Sequence, residues 1–266
     1  MKDNNQEYLN LAESPYWKSR RTIRNFSAKE VNKDLIFNLI DKAAKAPTTG
    51  GMQLYSAIVS QSTEILAKLA PAHFNQPAAK NARMIITVVA DFNRFEKWCV
   101  QRDAKPGFNN FESFTAAFLD AVIFAQQLTT LMEMEGLGVC WLGTATYTAS
   151  TIGEILNLPK MTVPVAALAV GWPADEGVDA ERLPTGSIIH NETYHDYSKD
   201  RIEEIFAEKE ALESNKKFVT ENNAKSLAHV FTDIRYPESN AVKFSEDFYN
   251  YIEKQGFTFP DNSNKR

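Results

Sequence analysis

Apolar residues recur at helical spacing in two stretches of the chain. In residues 30–45 they lie three or four positions apart, and the pattern stops before Pro47. This spacing predicts an amphipathic helix that leads into a loop. Residues 114–135 are apolar around most of the helix circumference and are followed by Gly136, which predicts a buried helix. A membrane span is disfavoured because Asp120 and two glutamines lie inside this stretch.

Three shorter runs predict β-strands. Residues 53–60 have strand-like composition, and residues 84–90 and 164–170 are near-continuous apolar runs. A continuous apolar run is typical of a strand that is buried on both faces. A short helix is expected around residues 152–156.

The composition changes after about residue 198, where charged and polar side chains dominate. This change predicts a solvated helix and a linker, followed by an amphipathic segment over residues 244–252. The order of strands and helices predicts an α+β fold, with a main domain over residues 1–200. A helical C-terminal extension is expected over residues 201–266.

Composition excludes several classes of function. The 266 residues are 44% hydrophobic and 24% charged, with a net charge of -5 and no dense basic stripe, which disfavours nucleic-acid binding. The N-terminal segment lacks the apolar run of a signal peptide, so a cytoplasmic location is expected. Cys99 and Cys140 lie at the edges of apolar runs and are expected to be reduced core thiols.

An arginine-rich segment is the first candidate binding site. Arg20, Arg21 and Arg24 lie close together with the hydroxyl of Thr22. If this segment is helical, Arg20 and Arg24 share one face and can hold one anion between them. The alternative is a solvated basic surface. Arg182 lies in a loop and, taken alone, is expected to be an ordinary surface residue.

Other sites of chemistry are not visible in the sequence. The glycines of residues 136–138 end a helix instead of opening one, so a dinucleotide-binding fingerprint is rejected. The four histidines lack metal-ligand spacing, and no nucleophile elbow is present. Any redox or transfer chemistry would therefore have to belong to a cofactor.

Six motifs in order and spacing resemble the nitroreductase family of FMN-dependent oxidoreductases, and more closely its NADPH-using, flavin-reductase-like branch. The resemblance covers roughly residues 15–200. The motifs occupy residues 20–26, 46–53, 90–94, 136–143, 171–175 and 182–194.

The resemblance implies a nitroreductase-like fold, with a central, mostly antiparallel sheet flanked by helices. It also implies a homodimer with two FMN molecules at the subunit interface, to which the helix beginning near Phe114 contributes. Six residues would hold the phosphate, ribityl chain or ring edge of FMN: Arg20, Arg21, Thr22, Arg24, Gln76 and Arg182.

The isoalloxazine ring would be approached by two further segments. Thr48, Thr49 and Gly51 would reach it from the partner subunit, and backbone amides around Leu142, Gly143 and Thr144 would reach its pyrimidine edge or N5. The implied reaction is ping-pong hydride transfer from NADH or NADPH, through flavin N5, to a small organic acceptor. Nitroaromatics, quinones and free flavins are the acceptors that the family implies.

Two departures from the family pattern bear on FMN affinity. Many members have Asn at the position of Gly51, and many of the closer relatives have a basic residue at the position of Ala180. One lost contact to a charged group corresponds to roughly tenfold to a hundredfold weaker binding. Gly51 therefore leaves open an FMN-storage protein of the same fold. The polar C-terminal segment leaves open a helical module that binds a partner protein, with the arginines as surface charge.

The C-terminal segment contains candidate contacts for the electron donor. Four basic residues of the C-terminal segment are candidates for contacting a pyridine nucleotide, although solvated surface is the more frequent role of such residues. They are Lys216, Lys217, Lys225 and Arg235.

Overall fold

The computed structural model describes residues 14–259. The polar tail and most of the N-terminal segment on which the expected location rests lie outside these residues. The described chain forms two compact units, one of residues 14–178 and 244–259 and the other of residues 179–243. This division differs from the domain boundary expected at residue 200, and that boundary stays a prediction.

The first unit is built on a four-stranded sheet, antiparallel in each of its pairings. Its strands are β1 (Tyr55–Ser60), β2 (Met84–Asp91), β3 (Gly138–Trp141) and β4 (Thr162–Gly171). They follow the order β1-β2-β4-β3 across the sheet. Both central strands, β2 and β4, are buried along their whole length, as their apolar runs predicted.

A proline inside the central strand β4 is accommodated by a bulge. The pairing of β2 with β4 shifts register, so that Val88 lies opposite Ala166 and Val89 lies opposite Pro164. A proline lacks the N–H that a regular ladder requires, and a bulge is one of the few places in a sheet where it is tolerated.

The helices of the first unit match the predicted positions. The helices expected over residues 30–45, 114–135 and 152–156 are all present. In chain order they are α1 (Pro15–Ser19), α2 (Lys33–Ala43), α3 (Thr63–Ala72), α4 (Pro77–Asn81), α5 (Asn93–Val100), α6 (Phe111–Met134) and α7 (Ala149–Ile155).

The second unit is helical. The prediction of a linker after its first helix is wrong, because a second helix follows almost at once. Its elements are α8 (Lys199–Ala211), α9 (Glu213–Glu221) and α10 (Leu227–His229), which continues as a π-helical segment (Val230–Arg235). The last helix, α11 (Glu238–Gln255), begins in this unit and ends in the first.

The long helix α6 supplies much of the core. Asn110 caps its N-terminus by accepting from the Ser113 N–H at 3.0 Å. Its inward face packs on the sheet, where Phe124 stacks on Tyr55 with ring centroids 4.4 Å apart. By length and composition it is the one helix of the described residues that qualifies as a candidate membrane span, a test that core helices also pass.

Candidate functional site

The arginine-rich segment is not helical. Thr22 forms an antiparallel bridge with Val178, and the Ile23 N–H donates to the Val139 carbonyl at 3.2 Å. The idea that Arg20 and Arg24 share one helix face is therefore wrong. The physical reason is that the backbone of this segment pairs with β3 and with residues that follow β4.

Two glycines explain why this segment approaches the sheet so closely. A Cβ at Gly138 would lie 2.7 Å from the side chain of Ile23, and a Cβ at Gly171 would lie 2.7 Å from that of Phe26. Both contacts are shorter than a real Cβ tolerates, so any larger residue would push the segment away. Gly138 and Gly171 therefore both have a packing role.

The three arginines lie in different electrostatic surroundings. Arg20 is ion-paired with Glu133 on α6, with Nη2 and Oε1 3.3 Å apart. Tyr16 donates to the same carboxylate at 2.7 Å, and burial raises the pKa of its phenol. Arg21 donates to backbone carbonyls of its own segment. Arg24 is exposed.

Arg24 lies near Cys140 in β3. Burial raises the pKa of the Cys140 thiol, and the positive charge of Arg24 opposes this effect. Cys140 is two residues before Leu142, where the expected ring-binding loop begins. The arginine-rich segment therefore runs beside the strand that leads into this loop. Both cysteines are free and buried, as expected.

The loop after β3 contains a short 3-10 helix, Gly143–Ala145. The Leu142 N–H donates to the Ala167 carbonyl at 2.8 Å, so this amide already has a partner inside the sheet. Gly143 and Thr144 are the first residues of the 3-10 helix, where N–H groups lack partners within the helix. A Cβ at Gly143 would meet no atom within 4 Å, so the backbone there faces open space.

His73 connects this loop to the turn that carries Gln76. Its Nδ1 lies 2.8 Å from the Thr144 hydroxyl, and the ring is completely buried. Burial lowers the pKa of His73 to about 4, so the ring is neutral at physiological pH. Thr148 adds a second tie by donating to the Ala72 carbonyl at 2.7 Å. Gln76 itself lies half-buried immediately before α4.

The loop of Thr48, Thr49 and Gly51 is organised by a buried carboxylate on α6. Asp120 accepts hydrogen bonds from both threonine hydroxyls, and from the Thr49 and Leu54 N–H groups at 2.8 and 3.2 Å. Gly51 is exposed and adopts a φ of 72°.

Arg182 lies in the second unit. Its guanidinium donates to the carbonyls of Ala180 and Glu181 at 3.1 and 2.9 Å. The neighbouring Glu181 is ion-paired with Lys209 at 3.2 Å. The side chain of Arg182 is exposed, and its expected role at a phosphate stays a prediction.

Three residues that organise these segments were missed from the sequence: Glu133, Asp120 and His73. Asp120 carried a signal, because a carboxylate within an apolar helix requires a partner. In the sequence, that signal argued only against a membrane span. The other two had no local signal, since each acts on a segment distant in the chain.

A model of the nitroreductase family matches residues 17–172, which is more than half of the chain. The chain belongs to the nitroreductase family. Membership confirms the predicted family, its α+β fold and the assignment of this protein to the oxidoreductase enzymes.

Individual relatives agree with this membership. The FMN reductase [NAD(P)H] of Bacillus subtilis (strain 168) is 28% identical over 245 residues, which cover 89% of this chain and 94% of that protein. A solved structure from Bacteroides fragilis NCTC 9343, provisionally described as an oxidoreductase, is 42% identical with a TM-score of 0.90. The match covers 92% of this chain and 100% of the B. fragilis chain. The structure of NfrA2 of B. megaterium is 27% identical with a TM-score of 0.75, and the match covers 92% of this chain and 97% of that protein.

Proposed function

We propose that this nitroreductase-family enzyme holds FMN non-covalently and transfers electrons from NADPH or NADH to a small organic acceptor. One observation carries the proposal: three segments that the family resemblance assigns to FMN lie next to one another in the structure. The segment of Arg24 runs beside β3, β3 leads into the loop of Thr144, and His73 connects Thr144 to the turn of Gln76. The name of the B. subtilis relative, an FMN reductase, supports the same cofactor.

The chemistry of these residues fits FMN. A phosphate dianion is bound well by guanidinium groups, and the exposed side chain of Arg24 is available for it. The open backbone at Gly143 suits the close approach of a flat ring, and the N–H groups of Gly143 and Thr144 suit its acceptor edge. Donors at that edge stabilise the negative charge that develops on reduced flavin.

In this proposal the chain positions the cofactor and supplies electrostatic stabilisation. Bound FMN would supply hydride transfer at N5 in a ping-pong cycle, with NADPH or NADH as donor and a nitroaromatic, quinone or flavin as acceptor. Arg20, Arg21, Thr22, Arg24 and Arg182 would hold the phosphate and ribityl chain. Gln76 would contact the ribityl chain or ring edge, and the loop around Leu142 would contact the ring.

The proposed enzyme is a cytoplasmic homodimer. The outward face of α6 exposes Leu119 and Ile123, whose side chains are 54% and 40% exposed. They lie one turn apart on that face. The buried Asp120, next to Leu119 in the sequence, holds the loop of Thr48 and Thr49. A second copy that covered this apolar face would bring that loop toward the flavin of its partner.

The first test is the visible absorption spectrum of freshly purified protein, before and after anaerobic addition of NADPH and then NADH. Flavin bands that bleach support the oxidoreductase. Bound flavin that stays oxidised with both donors instead favours the storage protein, which the lack of a side-chain amide at Gly51 also favours. A colourless protein that takes up no added FMN refutes the proposed function and favours the interaction module.

The phosphate role of Arg24 has a sharper test. Arg24→Gln is expected to weaken FMN binding about tenfold to a hundredfold while leaving the affinity for riboflavin, which lacks the phosphate, nearly unchanged. Arg102→Gln is the matched control, because Arg102 is exposed and, among residues 14–259, its side chain donates only to the neighbouring Gln101 carbonyl. Equal losses for FMN and riboflavin would contradict the phosphate role.

A further inference from the structure

A buried carboxylate controls the conformation of the loop between α2 and β1. Asp120 is only 2% exposed and accepts from four donors of the loop, namely the hydroxyls of Thr48 and Thr49 and the N–H groups of Thr49 and Leu54. These hydrogen bonds connect the middle and the C-terminal end of the loop to one side chain of α6. A buried carboxylate needs such donors, so the loop and the carboxylate stabilise each other.

The backbone of this loop is strained. Gly50, Gly51 and Gln53 all have positive φ, and for Gln53, at 51°, this conformation is unfavourable. Two contacts hold Gln53 in place. Its N–H donates to the Thr48 hydroxyl oxygen at 2.9 Å, and its carbonyl accepts from the Arg94 guanidinium. Hydrogen bonds from α6, Thr48 and Arg94 therefore hold the loop in this conformation.

The hydrogen bonds also fix what the two threonines can offer to a ligand. A hydroxyl has one donor, and in both Thr48 and Thr49 that donor is directed at Asp120. The oxygen of Thr48 already accepts from Gln53. The oxygen of Thr49 keeps acceptor capacity, and this residue is exposed. Towards solvent, the Thr49 hydroxyl is an acceptor.

We propose that Asp120 is a positioning residue that makes the Thr49 hydroxyl an acceptor for an N–H group of bound isoalloxazine. This inference rests on the proposed function, because the ligand is the flavin ring. The ring carries an N–H at N3 in both redox states and at N5 only when it is reduced. An acceptor held in a strained, fixed loop is suited to either group, whereas a freely rotating hydroxyl would also offer a donor.

The experiment is a double-mutant cycle on FMN affinity, measured by titrating apoprotein into FMN and following flavin fluorescence. In Asp120→Asn, an amide NH2 replaces one acceptor oxygen and faces a donor. This variant is expected to bind FMN about tenfold more weakly. Thr49→Val is expected to weaken binding to a similar extent. In the Thr49→Val background, Asp120→Asn should then have an effect below about threefold, because the group through which it acts is gone.

Matched variants separate positioning from general damage to the fold. Glu112→Gln makes the same acid-to-amide change at an exposed position of α6 and should bind FMN like the unmodified protein. Thr49→Ser keeps the hydroxyl and should retain FMN affinity within about threefold, which a purely steric role would not require. If Asp120→Asn does not fold, Thr49→Val and Thr49→Ser still test whether the Thr49 hydroxyl contributes to FMN binding, because Thr49 is exposed. Equal FMN affinity of Thr49→Val and the unmodified protein would refute the inference.

Failure of this inference and failure of the proposed function give different results. If the unmodified protein binds no FMN, the proposed function itself is refuted. If it binds FMN but Thr49→Val binds equally well, or the effects of Asp120→Asn and Thr49→Val simply add, the proposed function survives and the role of Asp120 is refuted.

Discussion

The buried imidazole of His73 predicts a specific loss of stability in acid. The ring is completely buried, its Nδ1 is paired with the Thr144 hydroxyl, and its Nε2 has no hydrogen-bond partner among the described residues. A protonated ring would bury a charge beside an unpaired donor, which is why burial lowers the pKa to about 4 from the ordinary value of 6.5.

The direction and size of the stability change on acidification follow from proton linkage at His73. Below pH 6.5 the unfolded chain takes up a proton at His73, while the folded chain does not until the pH approaches 4. Stability is therefore lost as the pH falls through this window. Since one unit of pKa difference corresponds to about 1.4 kcal/mol, the loss between about pH 7.5 and 4.5 is about 2.5 kcal/mol.

His73→Asn isolates this contribution, because asparagine retains a polar atom for Thr144 but does not titrate. The free energy of unfolding is measured by urea denaturation across this pH range, at one constant FMN concentration. The difference in acid sensitivity between the unmodified protein and the variant should approach about 2.5 kcal/mol. His195→Asn makes the same change at an exposed position and serves as the matched control. Parallel profiles for His73→Asn and the unmodified protein would refute the reasoning.

Three further predictions concern single residues. Gly51→Asn should fold normally, because asparagine tolerates a φ of 72° and the site is open, and should tighten FMN binding up to about tenfold in a fluorescence titration. Glu133→Gln releases the guanidinium of Arg20 and should raise the ratio of FMN to riboflavin affinity roughly twofold to fivefold; an unchanged ratio would argue against a phosphate role for Arg20. Gly153→Ala places a Cβ 2.0 Å from the Tyr251 hydroxyl and should cost about 1–3 kcal/mol, visible as a lower melting temperature; an unchanged melting temperature would contradict this steric argument.

The elements of the fold that could be predicted from sequence are those with a strong local pattern. The apolar runs of β2 and β4 and the uninterrupted apolarity of α6 are sufficient by themselves to predict that these elements are buried. The second-unit helix α9 was missed because its sequence is charged on most faces, and a solvated helix and a linker have similar compositions.

The conformation of the arginine-rich segment could not be read from its own residues. The four-residue spacing of Arg20 and Arg24 is compatible with a helix, and nothing nearby in the sequence opposes it. What decides the backbone is packing against Gly138 and Gly171, more than a hundred positions away, where the missing Cβ atoms leave room for Ile23 and Phe26. Tertiary contacts of this kind override local preference.

The candidate site shows the same division between motif and support. Motif residues such as Thr48 and Thr144 could be assigned from the resemblance, whereas their supports, Asp120 and His73, lie 72 and 71 positions away in the chain. Only the folded structure pairs such residues, because a single sequence contains no information about which buried polar groups meet.

The supporting residues also affect how well the expected FMN-binding segments are ordered. Loops are usually the mobile parts of a domain, yet three of the expected FMN-binding segments of the first unit are anchored from behind by a polar residue. Glu133 holds Arg20, Asp120 holds the loop of Thr49, and His73 holds Thr144. Because each of these contacts joins two residues of the protein itself, they reduce the free energy that FMN binding must spend on ordering the loops. Substitutions at Asp120 and His73 should therefore lower FMN affinity even where the residues that contact FMN are unchanged, whereas removing the charge of Glu133 frees Arg20 for the phosphate.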